Sequence, residues 1–120
     1  MNLEYYISSY CHIRNNEVSV NGASFFKDEK NATFSDFSKK TYKELNLSYS
    51  KFFKMDNLSK LAFLAAEFVL KDNNQKENSA IILTNRASSL DTDRKHQESI
   101  QDKDSFYPSP AVFVYTLPNI

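Results

Sequence analysis

Between residues 5 and 20 the apolar side chains fall at Tyr5, Ile7, Tyr10, Ile13, Val18 and Val20. They mix a period of two with β-branched and aromatic residues, and Asn15-Asn16 interrupts them, which predicts a β-hairpin. Its turn is expected at Arg14-Asn15-Asn16-Glu17, because asparagine tolerates left-handed backbone angles, and Asn21-Gly22 then supplies a second turn that ends the unit. From residue 25 to 54 the chain is polar but studded with rings, among them Phe25, Phe26, Phe34, Phe37, Tyr42, Tyr49, Phe52 and Phe53. The weak periodicity there predicts a long irregular connection with one short helix near residues 36–45. Its rings are expected to dock on a surface, either of this chain or of a partner.

The strongest helical pattern begins at Asp56, whose carboxylate can accept hydrogen bonds from the free N–H groups of a first turn. Leu58, Leu61, Ala62, Ala65, Phe68 and Val69 follow on one face. Phe63, Leu64, Ala66 and Leu70 are apolar too, so Glu67 is the one charged residue between Lys60 and Lys71. A helix apolar nearly all round is buried on several sides. Residues 71–78 read as a solvated loop and residues 79–85, Ser-Ala-Ile-Ile-Leu-Thr-Asn, as a continuous apolar strand. A helix feeding such a strand fits a central sheet covered on both faces. Ser88-Ser89-Leu90-Asp91-Thr92-Asp93 caps a second predicted helix running to about residue 100. Residues 105–110 break the chain before a last predicted strand at residues 111–117. There is no internal repeat, no heptad pattern and no linker between two compositions.

Composition narrows the class. The 120 residues support about one small domain. At 41% hydrophobic and 14% aromatic, with a mean hydropathy of -0.56, the chain can bury a core. One glycine and three prolines are little punctuation for a compact all-β design, which favours α/β or α+β. Fifteen basic and fifteen acidic side chains cancel, against binding to duplex nucleic acid, which requires several neutralised phosphates. The apolar runs at residues 61–70 and 111–117 are far shorter than the roughly 20 residues that span a bilayer, so no membrane span is expected. The first residues, Met1-Asn2-Leu3-Glu4-Tyr5-Tyr6, lack a basic stretch and a long apolar stretch, which makes the cytoplasm the expected compartment.

Candidate chemistry is sparse. Cys11 is the one cysteine, which excludes an intramolecular disulfide and a multi-cysteine zinc site. His12 is its neighbour, and adjacent side chains of a strand point to opposite faces, so the two cannot work as thiol and base. Cys11 is expected to be a small half-buried residue. Asp91, Asp93 and His96 fall within two helical turns and could in principle hold a metal, but capping of a helix start explains the aspartates better. Arg86, just after the apolar run, is expected to bridge to Asp91 or Asp93 more readily than to touch a substrate. A single glycine rules against a Gly-rich phosphate loop, and there is no Gly-x-Ser-x-Gly elbow. No catalytic, cofactor-binding or metal-binding residue is assigned, and no cofactor is expected.

Three segments, in order, resemble the N-terminal portion of the β-ketoacyl synthase family, which has the thiolase-like fold. The run from residue 53 to 67, Phe53-Lys54-Met55-Asp56 followed by Leu61, Ala62, Ala65 and Ala66, is similar to that family's aspartate-started, alanine-rich helix. Residues 79–85 match the place of the next core strand. Residues 108–119, from Pro108-Ser109-Pro110 to Pro118-Asn119, are similar to the segment that such synthases carry shortly before the nucleophile. The resemblance is clearest over residues 50–120. At the first strand the family usually shows Thr-Gly-x-Gly, where this chain has Tyr10-Cys11-His12-Ile13.

The resemblance implies an α/β chain, residues 1–120 forming a single, incomplete ketosynthase-like N-terminal region: a partial thiolase-like layered fold with a mixed sheet packed on a buried helix. It implies a divergent β-ketoacyl synthase linked to fatty-acid or polyketide-type chain elongation. Catalytic cysteine and histidine positions of the family would follow Asn119, so Cys11, His12 and His96 match none of them and activity of these residues alone is not expected. The implied partners are acyl carrier protein or a synthase subunit, in a homo- or heterodimer formed beside the core strand. The alternative is a non-catalytic partner or scaffold subunit, like chain-length factors, with the aromatics of residues 25–53 as its contact surface. A third possibility is a self-contained α+β domain of unrelated function.

Overall fold

Asn15 and Asn16 both take left-handed backbone angles, with φ of 51° and 57°. This is what a two-residue type I′ hairpin requires, and the mirror-image turn matches the right-handed twist of the strands it joins. The computed structural model describes residues 2–71, 78–101, 104 and 108–117. In it, strands β1 (Cys11–Arg14) and β2 (Glu17–Val20) pair antiparallel, with Arg14 opposite Glu17 and Cys11 opposite Val20. The Asn16 side-chain amide donates to the carbonyls of Glu29 (3.1 Å) and Ala32 (3.0 Å), tying the turn to the connection downstream.

Asn21-Gly22 does not end the unit. Their φ angles of 51° and 84° reverse the chain again into β3 (Ala23–Lys27), which pairs antiparallel with β2. Phe25-Phe26 hides this strand from a period-two reading because adjacent rings cannot share a face. A register shift at Val18/Ser19 resolves the conflict: Val18 faces Phe26 and Ser19 faces Ser24, leaving Phe25 as the extra residue of a bulge. The sheet is thus a three-stranded antiparallel meander in the order β1-β2-β3, and not a mixed sheet.

Helix α1 (Phe34–Glu44) starts at Thr33, whose hydroxyl accepts from the Asp36 N–H at 3.2 Å, and stops before Asn46 in the left-handed region at φ 52°. Phe34, Phe37, Thr41 and Leu45 follow helical spacing, and Phe37 and Thr41 are fully buried. Helix α2 (Asn57–Leu70) supplies Leu64 and Phe68, its two buried residues. The other apolar side chains of α2 are half-buried, so the helix is not enclosed on several sides as its composition predicts.

The chain divides into two compact units, Met1–Tyr49 with Leu61–Ile81, and Ser50–Lys60 with Ile82–Ile120. In the first, Val18, Phe37 and Phe68 form the core, flanked by Cys11, Ile13, Val20, Phe26, Phe34 and Leu45. The Phe26 and Phe37 rings stack at 6.1 Å, and the Phe25 edge meets Phe68 at 5.0 Å. Asp28 and Lys40 form an ion pair at 2.8 Å. One face of the sheet is therefore covered. The other, with His12, Arg14 and Lys27 exposed, is open, in contrast to the two-sided cover predicted.

The second unit holds a 3-10 turn at Ser50–Lys54 with Phe52 fully buried, then α3 (Leu90–Gln101) and α4 (Pro110–Val114). Both late strands expected from the sequence are absent. Residues 79–85 pair with no strand among the described residues and are exposed, Ile82 to 87%. An apolar run becomes a strand only where a neighbour satisfies its N–H and C=O groups. Within residues 111–117 the chain is helical instead. The Ser109 hydroxyl accepts from the Val112 N–H at 3.4 Å, and Pro110 occupies the first helical position, where its fixed φ fits and its missing N–H costs nothing. Of the predicted loop at residues 71–78, residues 72–77 lie outside the described residues, as do residues 105–107 of the predicted break. The chain is mixed α/β, with a three-stranded antiparallel sheet and four α-helices among the described residues.

Candidate functional site

Three places in the molecule gather groups capable of recognition. The first is the open face of the sheet. With Cys11, Ile13, Val18, Val20 and Phe26 turned to the core, alternation puts His12, Arg14, Glu17, Ser19 and Lys27 on the other side. The register runs Arg14, Glu17, Lys27 across the three strands, with His12 opposite Ser19. They line a shallow depression of about 250 Å³. Glu17 stands 3.8 Å from the Lys27 ammonium and accepts from the Ser24 hydroxyl at 3.3 Å. The Glu17–Lys27 pair helps hold the register of β2 and β3, and among the described residues no hydrogen bond links the Ser19 hydroxyl to His12 opposite it.

The second lies where α2 and α3 begin. Asp56 accepts from the Ser59 N–H and from the Thr92 hydroxyl, both at 3.0 Å. Asn57 donates to Asp91 at 2.8 Å, and Lys95 stands 3.7 Å from the same carboxylate. A depression of about 180 Å³ beside them is lined by Lys54, Asp56, Thr92, Lys95, Val112 and Tyr115. Asp93 accepts from the Ser89 hydroxyl at 3.2 Å, and the His96 ring lies 5.3 Å from Phe113. Asp91, Asp93 and His96 thus face different partners, and among the described residues no three His, Cys, Asp or Glu side chains stand together to hold a metal ion. Arg86 is exposed and bridges to neither Asp91 nor Asp93, whose carboxylates meet Asn57, Lys95 and Ser89.

Cys11 is half-buried and His12 exposed on the opposite face. Burial pushes the Cys11 thiol up to about 11 from an ordinary 9.0, so it is protonated at neutral pH and a poor nucleophile. At pH 8 the folded chain should therefore react with iodoacetamide about a hundredfold more slowly than the urea-unfolded chain. Its labelling rate should keep rising until the pH passes about 11. The thiol stabilises the fold fully below its unfolded value, and this contribution falls as pH rises through the folded one. Equal rates in both states would show that Cys11 is not packed against the sheet core.

The third place is the extended stretch ahead of β1. Tyr5, Tyr6 and Ile7 are 86%, 80% and 85% exposed, and Leu3 and Tyr10 are exposed as well. Tyr10 is anchored: its N–H donates to the Asn21 side chain at 3.0 Å and its carbonyl accepts from the Asn21 N–H at 2.9 Å. Residues 3–9 make no backbone hydrogen bond among the described residues, and the Tyr6 hydroxyl donates to Glu4. The aromatics of residues 25–53 behave differently. Phe37, Tyr42 and Phe52 are buried, Tyr49 stacks on Phe63 at 5.5 Å, and the Phe25 ring packs against Phe68. Phe25, Tyr49 and Phe53 remain 48%, 43% and 50% exposed, so the rings of residues 25–53 are turned to this chain only in part, and a further exposed apolar run lies earlier, at Tyr5, Tyr6 and Ile7. Its signal was available in Tyr5 and Ile7, read there as part of the hairpin.

Among the described residues no helix is long and apolar enough to cross a membrane. No family model, no curated protein and no solved structure matches the chain.

Proposed function

We propose that this chain works by binding another protein, as a non-catalytic partner or scaffold subunit whose contact element is residues 3–10. The observation that carries this is the exposure of Tyr5, Tyr6 and Ile7 on a backbone that makes no hydrogen bond among the described residues. A run of large apolar side chains beside an open strand edge is a ready surface for strand addition. The β-ketoacyl synthase resemblance supports a second reading, a divergent synthase of acyl-chain elongation with a thiolase-like fold. In its favour stands α2, opened by Asp56 and rich in alanine. Residues 79–85 and 111–117 form no strand, which is why binding comes first. Under binding, the resemblance suggests acyl carrier protein or a synthase subunit as the partner, in the cytoplasm.

Hydrogen–deuterium exchange tests the proposal. Amides of residues 3–9 should exchange freely in dilute solution and become protected when the chain associates, with itself or with carrier protein or a synthase. Exchange that stays fast in all of these mixtures would overturn it. Condensation of acyl and malonyl groups by the purified chain would overturn the non-catalytic assignment.

A further inference from the structure

The alternation around β1 extends further than the strand does. Odd positions from 3 to 13 read Leu3, Tyr5, Ile7, Ser9, Cys11, Ile13, and even positions from 4 to 14 read Glu4, Tyr6, Ser8, Tyr10, His12, Arg14. Cys11 and Ile13 pack on the core, and His12 and Arg14 lie on the open face. The Tyr6 hydroxyl bonded to Glu4 places those two side chains together, as a period of two demands. Residues 3–14 thus share one alternating pattern, of which the last third, β1, is paired.

The backbone says which edge is free. Tyr10 directs both its N–H and its carbonyl to Asn21, on the β2 side. Alternate residues of an antiparallel strand hydrogen-bond to alternate neighbours, so Tyr10, His12 and Arg14 face β2. Ile7, Ser9, Cys11 and Ile13 then offer their N–H and C=O groups away from it. β1 is an edge strand, and among the described residues nothing in the sheet order stands beyond it.

We propose that the occupant of this edge is a second copy of the chain, paired antiparallel over residues 4–14 about a two-fold axis at Ser9. The proposal rests on the binding function above and identifies its partner. Hydrogen bonding between odd positions leaves registers in which the paired residue numbers are both odd or both even. With the axis at Ser9, Tyr5 meets the partner's Ile13, Ile7 meets the partner's Cys11, and Tyr6 meets the partner's His12. Glu4 meets the partner's Arg14, twice in the dimer. Arg14 is exposed and makes no ion pair among the described residues, which leaves it free for this contact. An axis at Ser8 would set Glu4 against His12 and Arg14 against Asn2, without that charge match. The contact is isologous, so it closes at two copies, giving one six-stranded sheet with its apolar face on one side throughout.

Sedimentation of the full chain, with exchange at residues 3–9, is the test. The wild type should dimerise with protection of the Tyr5, Ile7 and Ser9 amides, and not of Tyr6 and Ser8, whose N–H groups point away from the partner. Ile7→Pro should abolish association and leave the far-ultraviolet spectrum unchanged, since residues 3–9 make no backbone hydrogen bond among the described residues of the monomer. Glu4→Arg should raise the dimer dissociation constant about tenfold, and Glu4→Arg combined with Arg14→Glu should restore it. In a Cys11→Ala background, Ser9→Cys should cross-link on oxidation, because residues facing each other across the axis lie about 4.5–5.5 Å apart between Cα atoms. Ser8→Cys should not cross-link.

A monomer at all concentrations would overturn the inference. If carrier protein or a synthase then protects residues 3–9, the binding function survives without it, and if nothing does, both fall. A dimer that tolerates Ile7→Pro, or that cross-links through Ser8→Cys instead of Ser9→Cys, would overturn the pairing argued here.

Discussion

Phe37→Ala should destabilise the sheet unit by about 3–5 kcal/mol, enough to unfold much of it near room temperature. Phe37 is 1% exposed and sits with Val18 and Phe68 at the one place where sheet, α1 and α2 share a core. Its ring also stacks on Phe26. Truncation removes the apolar contact with all three elements and leaves a cavity that a three-stranded sheet with one open face cannot close by collapse. Phe37→Leu keeps most of the volume and should cost roughly half as much or less. The chain has no tryptophan, so urea unfolding is best followed by far-ultraviolet circular dichroism. A Phe37→Ala midpoint within error of wild type would show that the core lies elsewhere.

The second large effect is expected at Asp56. Asp56→Ala removes the acceptor for the Ser59 N–H, which costs about 0.5–2 kcal/mol for a lost helix cap. It also leaves the Thr92 hydroxyl, 4% exposed, without its acceptor, a further cost of about 1–3 kcal/mol. Together these amount to roughly 2–4 kcal/mol. Asp56→Asn retains a side-chain oxygen and should recover part of the loss. Thr92→Val removes the hydroxyl together with its need, so Asp56→Ala should cost less in that background, by about 1 kcal/mol of coupling. Urea midpoints of the four chains measure it. Strict additivity would mean that Asp56 acts on its own helix alone.

Local chemistry was legible from residues. Asparagine pairs announced the β1-β2 turn, and their side chains allow the positive φ that the turn needs. A short helix was expected near residues 36–45, where α1 runs from Phe34 to Glu44, and an aspartate ahead of an apolar run announced α2. In each case the decisive interaction spans four residues or fewer. At the candidate site, the place of Asp91 and Asp93 in the first turn of α3 was legible for the same reason, whereas the partner of each carboxylate was not. Asn57 reaches Asp91 and Thr92 reaches Asp56 across more than thirty residues.

β3 escaped because Phe25-Phe26 breaks alternation, and the bulge that absorbs the break exists only when β2 is alongside. Residues 79–85 and 111–117 were misjudged for a related reason. Both are short apolar runs, which suit a strand or a buried helix equally by pattern. Pro110 behind a Ser109 cap tips the second to helix, a signal present in the sequence but outweighed there by the β-branched residues that follow.

What the amino-acid order determined by itself was where the first two turns fall, where α2 and α3 start, and that Cys11 and His12 face apart. Whether an apolar run pairs, which face of the sheet is covered, and which rings remain in solvent were decided by tertiary structure alone. Burial and strand pairing are properties of a neighbour's position, and for Tyr5, Tyr6 and Ile7 the described residues supply no such neighbour.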